Sequence, residues 1–155
     1  MPTTSALPGA ITQLLVILRE PAIDKVDVID GPPVNDVQTQ DFIAVGWVPD
    51  GDQAAELQQS FNSAGARTKD ETFAISGWID CWSGDTDFPA VRARVFELLG
   101  EIEQRIRATG LHPEAPTLNG SVLWADLSAG VLRQSHTDQG ARAALGFTVT
   151  CHARI

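Results

Sequence analysis

The sequence predicts an α+β domain, a mainly antiparallel sheet of about five strands with two main helices packed on it, in the order α-β-β-β-α-β-β. Three observations carry this expectation. Residues 141–155 alternate, with Ala141, Ala143, Leu145, Phe147, Val149, Cys151, Ala153 and Ile155 on one parity and the wetter set from Arg142 to Arg154 on the other. A period of two belongs to a strand with one buried face. Residues 91–106 instead place Val91, Val95, Leu98, Leu99, Ile102 and Ile106 at helical spacing. The remaining apolar runs follow one another with helices only at intervals, which favours adjacent strands over repeated strand–helix–strand crossovers. At 155 residues, 43% of them hydrophobic and 20% charged, the chain reads as one soluble domain spanning 1–155, long enough to bury roughly 68–70% of its unfolded surface.

Each element follows from local chemistry. Residues 1–7 are a polar lead. Pro8 suits a first helical turn, Ile11, Leu14, Leu15 and Leu18 recur at helical spacing, and Pro21 stops the helix because it cannot donate the interior hydrogen bond. Residues 25–29 form a short, weakly alternating strand that Asp30-Gly31-Pro32-Pro33 breaks, and a polar loop runs to Asp41. The dense apolar run 42–48 reads as a buried strand, closed by the turn Pro49-Asp50-Gly51-Asp52. Residues 53–69 are rich in Gln, Ala and Ser, with Leu57 and Phe61 as anchors. They read as a weak helical turn or a long exposed loop, and such loops are often functional.

In 71–82, Phe73, Ile75, Ile79 and Cys81 share one face with Gly77, while Trp78 and Trp82 lie on the other beside Ser76 and Asp80. Two tryptophans on the polar side require a covering helix or a protein partner. Thr86 or Asp87 is the N-cap of the second helix, Pro89 fits its first turn, and Gly110 closes it. A Pro-rich connector, 111–118, leads to the strand 122–134. That strand carries Leu123, Ala125, Leu127, Ala129 and Val131 on one parity, Trp124 on the other, and Gly130 as the candidate bulge. Gly140 opens the terminal strand, so the last two strands form an antiparallel pair.

The net charge of -9 is uneven. Residues 1–60 hold nine acids against Arg19 and Lys25, a balance of -7; the rest hold eleven acids against nine bases, a balance of -2. Tight nucleic-acid binding is disfavoured, because phosphate contacts need clustered Lys and Arg. An acidic surface repels DNA, meets a basic partner or aids solubility. Cys81 and Cys151 fall on apolar parity and read as buried free thiols, a disulfide requiring their strands to be close neighbours. No basic leader precedes an apolar core, and the apolar run 14–18 is far too short to span a bilayer. A cytoplasmic product, or one packaged into a particle, is expected.

Asp50-Gly51-Asp52 and Asp85-Thr86-Asp87 each set two carboxylates one residue apart, a spacing that can hold Mg²⁺ or Ca²⁺. Neither completes a twelve-residue calcium loop, and Asp suits turns and N-caps for local hydrogen-bonding reasons. His112, His136 and His152 lie in loops or on the polar face of the last strand. Two cysteines with these histidines make no zinc spacing. Ser135 beside His136 is no hydrolase signature, since chain neighbours rarely point at each other as nucleophile and base, and no Gly-x-Ser-x-Gly elbow or phosphate-binding glycine motif occurs. No catalytic, cofactor-binding or metal residue is therefore assigned, and a non-enzyme without cofactor is expected. Arg92, Arg94, Arg105 and Arg107 form a solvated helix face that pairs with Glu97, Glu101 and Glu103, or touch an acidic neighbouring subunit.

The segment order and several local words resemble the tail terminator (minor tail, or tail-completion) proteins of long-tailed bacteriophages and prophages. The resembling stretches are the opening apolar helix, Val28-Ile29-Asp30-Gly31-Pro32-Pro33, Phe42-Ile43-Ala44-Val45-Gly46, Asp70-Glu71-Thr72-Phe73-Ala74-Ile75, Ser83-Gly84-Asp85-Thr86-Asp87 before an Arg-bearing helix, Asn119-Gly120-Ser121-Val122, and the closing strand. The resemblance implies a structural virion protein, assembled in a bacterial cytoplasm and resident in the tail. It implies a homo-oligomeric ring, usually a hexamer, that caps the tail tube protein, ends polymerisation and offers a face to the head-completion (neck) protein. DNA would pass through its lumen without specific binding. Loops 31–41 and 49–70 are the expected contacts with tube or neighbouring subunits. Rival readings are a head–tail connector, or a small α+β ligand-binding domain or enzyme using the Asp pairs or histidines.

Overall fold

A computed structural model describes residues 4–33, 41–49, 51, 53–107, 115–138 and 140–155. Helix α1 spans Leu7–Arg19, followed by strands β1 (Val26–Asp30), β2 (Asp41–Val45), β3 (Ala55–Phe61) and β4 (Lys69–Trp82). Helix α2 (Phe88–Ile106), a 3-10 turn (Ala115–Thr117), β5 (Trp124–Thr137) and β6 (Gly140–Arg154) complete the chain. The α+β class and the mainly antiparallel sheet are as expected; the sheet has six strands, not five.

The sheet runs β1-β2-β4-β6-β5, with β3 also on β4. Both long strands at its centre pair along nearly their whole length, from Asp70 opposite Arg154 to Trp82 opposite Arg142. The other edge of β4 is divided. β3 takes its first half, Lys69 to Ile75, and β2 takes Gly77 to Asp80. At the junction, left-handed Gly46 donates its N–H to Ser76 O at 2.7 Å, and Ser76 N–H bonds Ala54 O at 3.0 Å. β1 lies parallel to β2; every other pairing is antiparallel.

The expected parity is where the core forms. Phe73, Ile75, Ile79 and Cys81 of β4 and the odd residues of β6 meet Leu14, Leu15, Ile17 and Leu18 of α1 and Val91, Val95, Leu98, Ile102 and Ile106 of α2. Gly77 sits on this face because a Cβ there would lie 2.2 Å from the Phe147 ring. Gly140, at φ +105°, starts β6 in a conformation that L side chains rarely adopt, and a Cβ there would strike Ser83 O and Asp85 O. The 83–87 loop therefore packs directly on the hairpin and delivers α2 onto the sheet.

Four expectations are corrected. The stretch 53–69 is neither a helical turn nor one long loop: β3 occupies 55–61, and only residues 62–68 form a loop that returns to β4. β3 escapes pattern reading because both its faces are largely exposed and its backbone pairing with β4 holds it. Helix α2 ends at Ile106, where the Arg107 N–H closes on Glu103 O and Gln104 O; Gly110, the expected cap, lies outside the described residues. The bulge is at Ser128, between Leu127 and Ala129, not at Gly130. It shifts parity, so Val131 leaves the core face and is 62% exposed. β5 also runs on to Thr137, which puts His136 on a strand.

Candidate functional site

Both helices pack on one face of the sheet, and the opposite face carries its own apolar cluster with no helical member. Phe42, Ala44, Trp78 and Ala144 are buried there, with Ile29, Trp47, Val48 and Trp82 packed around them. These are the even positions of β2, β4 and β6, so the strand period that builds the core also builds this patch. Trp47 and Val48 follow Gly46 beside Trp78, which is only 5% exposed. The tryptophans at polar parity are thus covered by the chain itself and by arginines, not by a helix.

A buried ion pair fixes the patch. Asp80, 1% exposed, accepts Arg142 Nε at 2.8 Å, accepts Arg142 Nη2 through its other oxygen, and accepts the Trp78 indole N–H at 3.2 Å. Hydrogen bonding to Asp80 raises the Arg142 pKa against the opposing effect of burial. Arg142 lies 5.7 Å over the Trp82 ring and Arg133 lies 5.6 Å over that of Trp78, both within cation–π range. Pro49, Trp78, Arg133, Ser135 and Arg142 line a shallow groove of about 310 Å³. Farther along the same face, Trp124 stacks on His152 at 3.6 Å, and Thr72 Oγ1 lies 3.3 Å from His152 Nδ1.

The sequence candidates are dispersed. Asp50 and Asp52 lie outside the described residues, as does His112. Asp85 accepts Ser83 Oγ at 2.6 Å and Asp87 N–H at 2.9 Å, bonds that lower its pKa. Asp87 accepts Ala90 N–H at 3.1 Å as the cap of α2. Local bonds thus occupy both carboxylates, and among the described residues no group of three or more His, Cys, Asp or Glu is placed to hold a metal ion. Ser135 pairs with Arg142 on the open face, whereas His136 faces α2, its ring 6.3 Å from Phe88; the two point apart. Cys81 and Cys151 are free and buried, opposite Ala143 and Phe73 respectively, eight residues apart along β6 and beyond disulfide reach.

The four arginines of α2 do not form one solvated face. Arg107 pairs with Glu103 at 2.6 Å, Arg92 bonds Gln134, and Arg94 reaches Asp41, Glu97 and Asp24 O. Arg105 is buried. It donates to Ile17 O at 3.0 Å, Leu18 O at 3.1 Å and Glu101 at 2.8 Å. Two polar anchors escaped pattern reading, Arg105 and Glu71. Glu71 is 1% exposed and accepts Ala6 N–H at 2.8 Å and Gln59 Nε2 at 2.6 Å. The available signal was parity: Glu71 falls in register with Phe73 and Ile75, and Arg105 with Leu98 and Ile102. A scan against protein-family models and a search of curated proteins found no match. Among the described residues no helix is long and apolar enough to cross a membrane.

Proposed function

We propose that this protein is a tail terminator of a long-tailed phage or prophage: a ring-forming structural part that caps the tail tube and presents a face to the head. The observation that carries the reading is where the resembling words fall. Ile29-Asp30-Gly31 ends β1 at a left-handed glycine, Val45-Gly46 ends β2 the same way, and Ser83 to Asp87 builds the cap of α2. Asn119-Gly120, both at positive φ, turns the chain toward β5. These four words fall at element ends and turns, while Asp70 to Ile75 lies within β4, and that placement is what supports the reading.

The mechanism is geometric. A heterologous contact whose rotation closes makes a ring, and a ring seated on the last tube layer covers the surface that would accept the next. The acidic bias of residues 1–60 supports a lumen that a polyanion crosses without sticking. The β3–β4 hairpin supports a contact role, since it exposes Leu57 at 43% and Phe61 at 61%. Removing 53–66 would delete strand β3 and the Gln59–Glu71 bond, so the informative variants are exposed ones, such as Phe61→Ser. Residues 34–40 of the expected contact segment 31–41 lie outside the described residues.

Mixing purified protein with headless tail tubes, and separately with empty heads, tests the reading. A terminator binds tube ends without any head present. Binding to heads alone favours a connector, and binding to neither removes the tail reading.

A further inference from the structure

Among the described residues strand β5 forms a free edge of the sheet, and the geometry points to it as a surface that pairs with β5 of a second copy of this chain. Edge strands are usually blunted against such pairing by shortness, by charge or by a covering group. β1 is treated this way: it has five residues, and Arg19 Nε and Nη2 occupy Val28 O at 3.2 and 2.9 Å. β5 has fourteen residues with no Pro or Lys, and it exposes Val131 at 62% and Trp124 at 45%.

The ladder shows which backbone groups face outward. Lys69 and Ile155 exchange hydrogen bonds at 2.7 and 2.9 Å, so the odd residues of β6 bond β4 and the even ones bond β5. On β5 the residues opposite odd β6 positions, namely Ala125, Leu127, Gly130, Leu132, Gln134 and His136, therefore aim their N–H and C=O groups away from the sheet. An unpaired run of this kind is the template that a second strand completes.

The side chains are self-complementary in one antiparallel register. With Gly130 opposite Gly130 of the second copy, Leu132 meets Leu127, Val131 meets Ala129, and Arg133, already engaged over the Trp78 ring of its own chain, comes opposite Asp126. Each pair lies on a single face. Residues seven apart on a regular strand point to opposite sides; the bulge at Ser128 brings Asp126 and Arg133 to the same one, opposite Thr150 and Ala144. The two-fold axis repeats the ion pair, and glycine at the centre brings no side chain to the crossing. Cross-strand pairs of these kinds stabilise antiparallel sheets. The contact is isologous and closes as a dimer, joining two six-stranded sheets. A ring needs a different contact, for which the β3 edge remains.

This inference goes beyond the tail reading, and its test uses no tube, so either can fail alone. Sedimentation of the full chain over a roughly hundredfold concentration range should show monomer passing to dimer, and R133E should weaken dimerisation about tenfold or more by setting Glu opposite Asp126. Far-UV circular dichroism verifies that each variant is folded. The register is read by mild oxidation. Ala129→Cys with Val131→Cys in one chain should cross-link two copies, because those positions face each other, while each single variant should not. A chain that stays monomeric throughout, a dimer indifferent to R133E, or cross-linking as efficient through a single cysteine would each overturn the proposal.

Discussion

Asp80 shows how one carboxylate organises a surface. It sits on the polar parity of β4, yet burial has stripped it of water, and three donors from Arg142 and Trp78 replace that hydration. Truncation leaves the indole N–H and a half-buried guanidinium without their acceptor. Asp80→Ala should cost about 2 kcal/mol in urea unfolding, less than a fully enclosed pair would because Arg142 keeps some access to water. Asp80→Asn, which keeps an acceptor for Trp78, should cost less. The thiols give a second prediction at this scale. Burial pushes Cys151 up to about 12, with the nearby Asp126 adding to it, and raises Cys81 in the same direction. The folded chain thus favours neutral thiols, and their stabilising contribution is intact below the ordinary thiol value of 9.0. It declines as pH rises from there toward the folded value, because the unfolded chain sheds those protons first. A thiol reagent at pH 8 should leave the native protein unmodified and label both cysteines once it is unfolded; native labelling would contradict the burial.

Among elements, α1 is tied to α2 by Arg105, which meets the carbonyls of Ile17 and Leu18 in the last turn of α1, where backbone acceptors have no partner within the helix. Arg105→Met keeps the packed stem and removes the donors. It should lower stability by ~1–3 kcal/mol with an unchanged denaturant slope, and Arg105→Lys should recover part of the loss. A cost below the error of the urea midpoint would show that the clamp is idle. The elements that could be read from the sequence were those with a sustained apolar pattern. β6 and the helices show it as a clear period and β2 as a dense apolar run, while β4 keeps its period although Trp78 and Asp80 are buried on its second face. β3 was hidden because its residues pair without being buried, and the far half of β5 was misread because a bulge leaves no mark in a hydrophobic pattern. The parallel β1–β2 pair and the divided edge of β4 are long-range choices that no local window contains. The open-face patch was half visible: Trp78 and Trp82 marked it, but the chain's own Trp47, Arg133 and Arg142 lie against it where a helix was one expectation.

For the whole molecule, one face of the sheet is spent on the helices, while the other face, the β3–β4 hairpin and the edge of β5 remain for contacts. The acidity of the first sixty residues gives the surface a sign, and the firm central strands give it shape. This arrangement suits a part that works by fit. The direct test is a tube-polymerisation assay: tail tube protein is assembled with and without the chain, and the products are imaged by negative stain. The account predicts tubes that stop growing with ring-shaped density at one end. Tubes that elongate unchanged, with bare ends at every protein concentration, would contradict it.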